Sequence, residues 1–291
     1  MQISSKKGEW FEIIVPSDWN GISTEHLFWN VWNAPKKLTH QFRTNKEVTV
    51  NGSPANWHEA LKTGDRLRIK LFSEVEFGVT PTYMDLEILF EDEHLLIVNK
   101  PAGVNTHPNS PEDTDTLANG VAFHLQANGE SRQVKHIHRL DRDTSGAILF
   151  AKHALAGSIL DKMLEERKIK RTYVALVEGK IRGKKGTINE PIGRDRHHPT
   201  KRRVSPNGQQ AITHYQVIES SPDFSKVKCQ LETGRTHQIR VHFSHIGHPL
   251  IGDKLYNENP SGNRLALHAE QLQLTHPLTF EKIDVVCPVE W

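Results

Sequence analysis

Cysteine is scarce: 291 residues hold two, Cys229 and Cys287, far apart and with no His or Cys at metal-ligand spacing beside them. That spacing argues against a disulfide framework and a zinc site, and suits a reducing compartment. Long apolar runs are also missing. The longest, such as "LLIV" at 95–98, are too short to span a bilayer, and the opening "MQISSKKGEWFEIIVP" has no apolar core of signal-peptide length. The expectation is a soluble, cytoplasmic protein with no membrane partner. An excess of either charge is lacking too, since 37 Lys and Arg against 35 Asp and Glu leave a formal net charge of +2. Any affinity for nucleic acid must then come from local clusters of Lys and Arg. No internal repeat or low-complexity tract is present.

What is there has ordinary globular composition, 36% hydrophobic and 25% charged, in a chain long enough for two or three domains. Residues 1–80 read as a small module. Leu27, Val31 and Leu38 recur at roughly helical spacing, with Pro35 ending one short helix or opening the next. "VTVNGSPANW" and "GDRLRIKLF" then read as a hairpin. From 84 to 291 the elements mix. "LEILFE", "LLIVNK", "AILFA", "RTYVALVEG", "AITHYQVI", "VKCQLETG" and "QLQLTH" are strands by alternation or β-branching, and Leu155, Ile159 and Met163 mark a helix that lays one face on a sheet. The fold class is α+β: a mixed, mainly antiparallel sheet with flanking helices, preceded by a helix-helix-hairpin module.

One stretch, "HRLDRDTSG" at 138–146, packs two carboxylates and two guanidinium groups at the mouth of an apolar strand. Asp141, Asp143, Ser145 and Gly146 match the first half of a calcium-binding loop, but its twelfth position, which requires Glu, is Lys152. Calcium is therefore not expected; the plain alternative is a surface turn laced with ion pairs, Arg139 with Asp143 among them. His237, His242, His245 and His248 tempt a metal reading, yet no carboxylate or Cys joins them in register and "HFSHIGHP" is interrupted by Gly247 and Pro249. Packing or RNA contact suits them better.

Five strings in series, "ILFEDEHLLIVNKPAGVNTHP", "HRLDRDTSGAILFAK", "RTYVALVEG", "GRTHQIRVHFSHIGHPLIGD" and "RLALHAEQLQLTHP", resemble the RluA-type family of RNA pseudouridine synthases over about residues 84 to 288. The resemblance implies an isomerase that converts uridine to pseudouridine in structured RNA, ribosomal or transfer, by base flipping, with no metal or organic cofactor and no required protein partner, acting as a monomer. It makes Asp141 the catalytic aspartate, which such glycosyl chemistry needs as nucleophile or charge stabiliser. It makes Arg139 the residue that fills the gap left by the extruded base. It makes Tyr173 the base-stacking group that moves a proton at carbon 5, and Arg240 the cation that keeps Asp141 ionised. Arg235 is a weaker candidate for that last role, because residues five apart in an extended strand point to opposite faces. His138 reads as a brace for the loop beside the substrate, and Ile239 or another apolar residue nearby as a lining of the base pocket.

Arg194, Arg196, Lys201, Arg202 and Arg203 crowd ten residues, a local basic patch that suits a phosphate-gripping loop, with Arg202 and Arg203 at its centre. The family commonly has Lys two residues after the glycine that corresponds to Gly208, where this chain has Gln210. The first block resembles, more faintly, the alpha-L RNA-binding motif in "VTVNG" and "LKTGDRLRI", although Trp29 and Trp32 stand where that motif usually carries basic residues. Two competing readings are an RNA-binding assembly factor without turnover and a nucleosidase-like hydrolase. The second would need another carboxylate across the sugar, for which Asp143 is too close to Asp141.

Overall fold

Alternating burial begins at the very start of the chain in the computed structural model, which describes residues 4–289 and 291. Strands β1 (Ser4–Lys7) and β2 (Trp10–Ile14) form a hairpin around Gly8, so the first module contains more than two helices and one hairpin. Phe11 and Ile13 face its core, while the buried Glu12 is held by Lys7 and Arg68 at 2.7 and 2.6 Å. Alternation with an ion-paired carboxylate hides a strand from a reading that searches for apolar runs. Strands β3 (Val48–Val50) and β4 (Ser53–Pro54) turn at Asn51-Gly52, both with positive φ, as the tight hairpin turn requires. With β5 (Arg66–Lys70) they complete a five-stranded sheet in the order β1-β2-β5-β3-β4.

Ser23 caps helix α1 (Thr24–His26), its Oγ accepting from the His26 amide, and the chain continues through a π-helical turn, Leu27–Val31. Pro35 opens helix α2 (Lys36–Thr44), since its fixed φ suits a helix entry and its missing N–H would have had no partner there. Leu27, Phe28, Trp32 and Phe42 pack on the sheet in one apolar cluster with Trp57 and Leu67.

Ten of the twelve remaining strands form one sheet. In chain order they are β6 (Glu87–Glu91), β7 (Leu95–Lys100), β8 (Lys135–His136), β9 (Ser145–Ala151), β10 (Lys170–Glu178), β11 (Lys185–Asn189), β14 (Ile212–Ser220), β15 (Phe224–Leu231), β16 (Leu267–Thr275) and β17 (Lys282–Val286), while β12 (Ile192–Arg194) and β13 (Arg202–Val204) pair apart as a small hairpin. The main path runs β11-β14-β15-β10-β16-β9-β7-β6, with β8 on β9 and β17 on β16. Among the described strands only β9 and β16 pair in parallel, so the sheet is mixed and mainly antiparallel, as expected. Helix α3 (Leu117–Ala127), not anticipated from the sequence, covers one face through Leu117, Val121 and Leu125. Helix α5 (Gln238–His245) lies beside the site on the same side.

Helix α4 (Ala154–Glu165) corrects one expectation about faces. Ala156 and Leu160 meet the large sheet, whereas Leu155 and Ile159 point into the cluster of the N-terminal module. Each fully buried aliphatic chain there contributes roughly 1.5–3 kcal/mol, which fastens the module to the helix. Met163 touches both clusters.

The parallel pairing of β9 and β16 places the loop of residues 138–144, and one residue permits it. Gly146 stands opposite Ala269 with φ near 115°, and a Cβ added there would strike the Ala269 backbone. Gly146→Ala is therefore expected to destabilise the fold by about 3 kcal/mol. Urea unfolding checks this, and an unchanged midpoint would show that the strand contact is looser than described.

Candidate active site

The loop between β8 and β9 carries "HRLDRDT", and its apolar residues anchor it. Leu140 is buried in the main core, and Thr106 ties both ends of its peptide, Oγ1 donating to the Leu140 carbonyl at 3.0 Å and accepting from its amide at 3.2 Å. Lys100, fully buried, donates all three ammonium protons to backbone carbonyls of Pro101, Val104 and Arg142 at 2.7–2.9 Å. Burial pushes its amine down to about 8, while the Asp141 and Asp143 charges oppose the shift. A buried cation with three fixed acceptors locks two loops together and leaves a positive charge under the aspartates. Arg139, Arg142 and Asp143 are exposed at the rim and Asp141 is half-buried.

The stretch "GRTHQIRVH" is not an extended strand. Its second half is helix α5, and Arg235 and Arg240 line the same cleft. The helix was hidden because six of its eight residues, Gln238 to Phe243, are buried, which leaves no polar face to show a 3.6-residue period. Gly247 and Pro249 follow its end and terminate it. The amide group of Gln238 fixes its start, accepting from Thr233 Oγ1 and the Arg235 amide and donating to the Ile212 carbonyl.

Arg240 approaches Asp141, Nη1 to Oδ2, at 3.4 Å. Its principal partner, however, is Asp253, reached by Nε and Nη2 at 2.8 Å each in a two-pronged pair. Asp253 is buried completely, and it also accepts from the amides of Leu255 and Tyr256. The Asp253 and Asp141 carboxylates together push the guanidinium above its already high ordinary value, against the opposing effect of burial. Asp253 closes the stretch "GHPLIGD" and carries no local sequence signal of its partner, which lies 13 residues earlier in the chain.

Two clefts meet at Asp141. The first, of about 560 Å³, is lined by His138, Arg139, Tyr173, Ile239 and Arg240 among others. The second, of about 790 Å³, shares Arg139, Asp141, His237 and Arg240 and adds Arg142, Lys254 and Arg264. Tyr173 is aimed by an irregularity in the pairing of β10 with β16, where the register shifts between Thr172 and Tyr173. Burial raises its phenol pKa, with the Arg171 charge opposing and the Asp141 charge reinforcing.

Arg139 makes no ion pair with Asp143 among the described residues and stands exposed at both clefts. His138 is buried, accepts weakly from the Leu149 amide at 3.4 Å, and is held neutral by burial. Arg202 and Arg203 lie on β13, and neither lines either of these two clefts. The four histidines diverge: His242 bonds Thr213 and the Glu190 carbonyl, His248 the Glu178 carbonyl, His237 the Tyr256 hydroxyl, and His245 faces solvent. No cluster of three or more candidate ligands for a metal ion occurs among the described residues.

A loop-borne aspartate faced by a buried arginine, beside a tyrosine and an isoleucine in one cleft, defines a site for chemistry on a flat, partly apolar group. The chain belongs to the RNA pseudouridylate synthase family, whose profile matches residues 94–245. It is an isomerase that acts on RNA. Residues 11–67 match the RluD ribosomal pseudouridine synthase N-terminal domain. Among its relatives, the RNA pseudouridine synthase YhcT of Bacillus subtilis is 49% identical over 98% of this chain and 95% of its own length. Ribosomal large subunit pseudouridine synthase D of Nitrosomonas europaea is 40% identical over 80% of this chain and 70% of its own. Of solved structures, human RNA pseudouridylate synthase domain containing 1 superposes with a TM-score of 0.59 at 29% identity, covering 70% of this chain and 84% of that one.

Because Asp253 neutralises a buried guanidinium, Asp253→Asn is expected to lower stability by about 3 kcal/mol and to draw Arg240 toward Asp141. Chemical unfolding combined with a crystal structure of the variant checks both, and unchanged stability would mean that the pair is weaker than its geometry.

Proposed function

We propose that Asp141 is the carboxylate that carries uridine through the isomerisation, in RNA of the ribosome's large subunit. The observation that carries the reading is the position of Asp141 where the two clefts meet, with Oδ2 turned to Arg240 and with Tyr173 and Ile239 lining one side. The reaction breaks the bond from C1′ to N1, turns the base, forms the bond from C1′ to C5 and releases the C5 proton, so the atoms of the nucleotide are conserved. With Oδ2 facing the cation, Oδ1 is the oxygen presented to the substrate. The base turns against Tyr173 and Ile239. A phenol held neutral by burial serves first as a stacking face, and any proton that it takes from C5 must be matched by loss of its own.

A uridine within a stack is out of reach, so it is extruded, and Arg139, exposed at the rim and free of Asp143, takes its place. The β12–β13 hairpin, with Arg194 and Arg203 exposed and Lys201 and Arg202 half-buried, grips phosphates away from the chemistry. Support for ribosomal over transfer RNA comes from the Nitrosomonas relative, named for the large ribosomal subunit, and from the RluD-type N-terminal match. We retain the division into a module of 1–80 and an isomerase domain of 84–291, supported by separate sheets and largely separate apolar clusters, with Leu155, Ile159 and Leu278 joining the first cluster and Phe77 and Val79 packing on the second.

The test is tritium release from ribosomal RNA labelled at C5 of uridine and prepared from cells lacking the gene. Asp141→Asn is expected to release none while still binding the RNA, and Tyr173→Phe to lose about a hundredfold or more in rate. Release by Asp141→Asn at the wild-type rate would contradict the assignment.

A further inference from the structure

His237 has no role in the chemistry as described, yet it is built into the site with unusual care. It occupies the left-handed region, with φ 59°, at the position just before α5. A bulky residue other than glycine is strained there, and such strain persists only where the surroundings hold it. Its ring spans from Tyr256 to Asp141: Nδ1 lies 2.8 Å from the Tyr256 hydroxyl, and Nε2 lies 3.8 Å from Asp141 Oδ2.

The hydrogen-bond pattern fixes where its proton sits. The Tyr256 oxygen already accepts from the Arg202 amide at 2.8 Å, and its own proton has no acceptor besides His237 Nδ1 among the described hydrogen bonds. Tyr256 therefore donates to Nδ1, and neutral His237 carries its proton on Nε2, facing the carboxylate. The opposite tautomer would turn a lone pair toward an anion. The charged groups around the ring are Asp141 and Asp253 on one side of the balance and Arg240 and Arg202 on the other. Burial outweighs them and holds the imidazole pKa below its ordinary value. The Tyr256 ring is itself pinned, with the Arg240 guanidinium 5.1 Å and the Lys201 ammonium 5.5 Å from its centre.

We propose that Tyr256 and His237 form a positioning pair for Asp141: Tyr256 sets the His237 tautomer, and the Nε2–H closes on Oδ2 when substrate enters, fixing which oxygen meets the sugar. The pair rests on the reading of Asp141 given above. It also links two parts of the molecule, because Arg202 belongs to the basic hairpin.

Single-turnover tritium release with saturating RNA, measured for the full chain from about pH 4.5 to about pH 9 so that the range reaches below the depressed imidazole pKa, tests the proposal. In Tyr256→Phe the neutral ring is free to adopt either tautomer, but the imidazolium carries protons on both nitrogens. The deficit against wild type is therefore expected to be about twofold at the alkaline end and to shrink as pH falls. His237→Asn, which tolerates the left-handed backbone but ends short of Asp141, is expected to lose about tenfold or more in rate with unchanged RNA affinity. His237→Gln, whose amide reaches about as far as Nε2, is expected to recover most of that loss. A Tyr256→Phe deficit that is constant with pH, or full activity in His237→Asn, overturns the pair. Turnover by an Asp141→Asn control would sink the reading of Asp141 itself, and this inference with it.

Discussion

One guanidinium organises this site. Arg240 is buried and must be neutralised, and Asp253 neutralises it from behind through two short hydrogen bonds while Nη1 is left toward Asp141. With two carboxylates on one cation, the fully buried one takes the strong geometry and the half-buried one keeps an oxygen free. Helix α5 carries the arginine, the turn at Gly252 carries its anchor, and the loop ahead of β9 carries the aspartate, so three distant segments of chain are fixed relative to one another by that cation.

The supporting structure follows from this requirement. The loop before β9 cannot drift, because Lys100 and Thr106 hold its backbone from beneath and Leu140 sits in the core. The start of β9 is held from the other side. Ser145 donates to His268 Nδ1 and accepts from Arg264, and His268 donates onward to the Cys287 carbonyl. These are polar contacts in a buried place, where each partner removed leaves another unsatisfied. The lever arm between Asp141 and the sheet is accordingly short and stiff, as a group that must be placed within a fraction of an ångström demands.

Much of this was legible in the sequence, and the reason differs from part to part. The seven strands named from alternation and β-branching appear where their apolar residues required, and α4 was visible because Leu155, Ile159 and Met163 repeat at helical spacing. Helix α5 was not legible, since burial on nearly every side erases the period that marks a surface helix. Strand β2 was hidden by Glu12, an acid that three basic side chains make tolerable inside. At the site, Asp141, Tyr173, Ile239 and Arg240 were named from motif register and do come together around one cleft. Asp253, Lys100 and Tyr256 were not named, because each acts through a partner remote in sequence, and nothing local to "PLIGD", "VNKPAG" or "DKLYN" shows what it will touch.

The central claim is geometric: the extruded uridine lies in the first cleft with its sugar at the free oxygen of Asp141. The most direct measurement is a crystal structure of the protein with a stem-loop RNA that carries 5-fluorouridine at the target position, where fluorine stands in place of the C5 hydrogen, cannot leave as a cation, and so stops the reaction before its last step. The account expects the base against Tyr173 and Ile239, C1′ beside Asp141 Oδ1, and the Arg139 side chain in the vacated stack. A base that stays stacked in the helix, or that lies in the cleft of Lys254 and Arg264 with its sugar out of reach of Asp141, would contradict it.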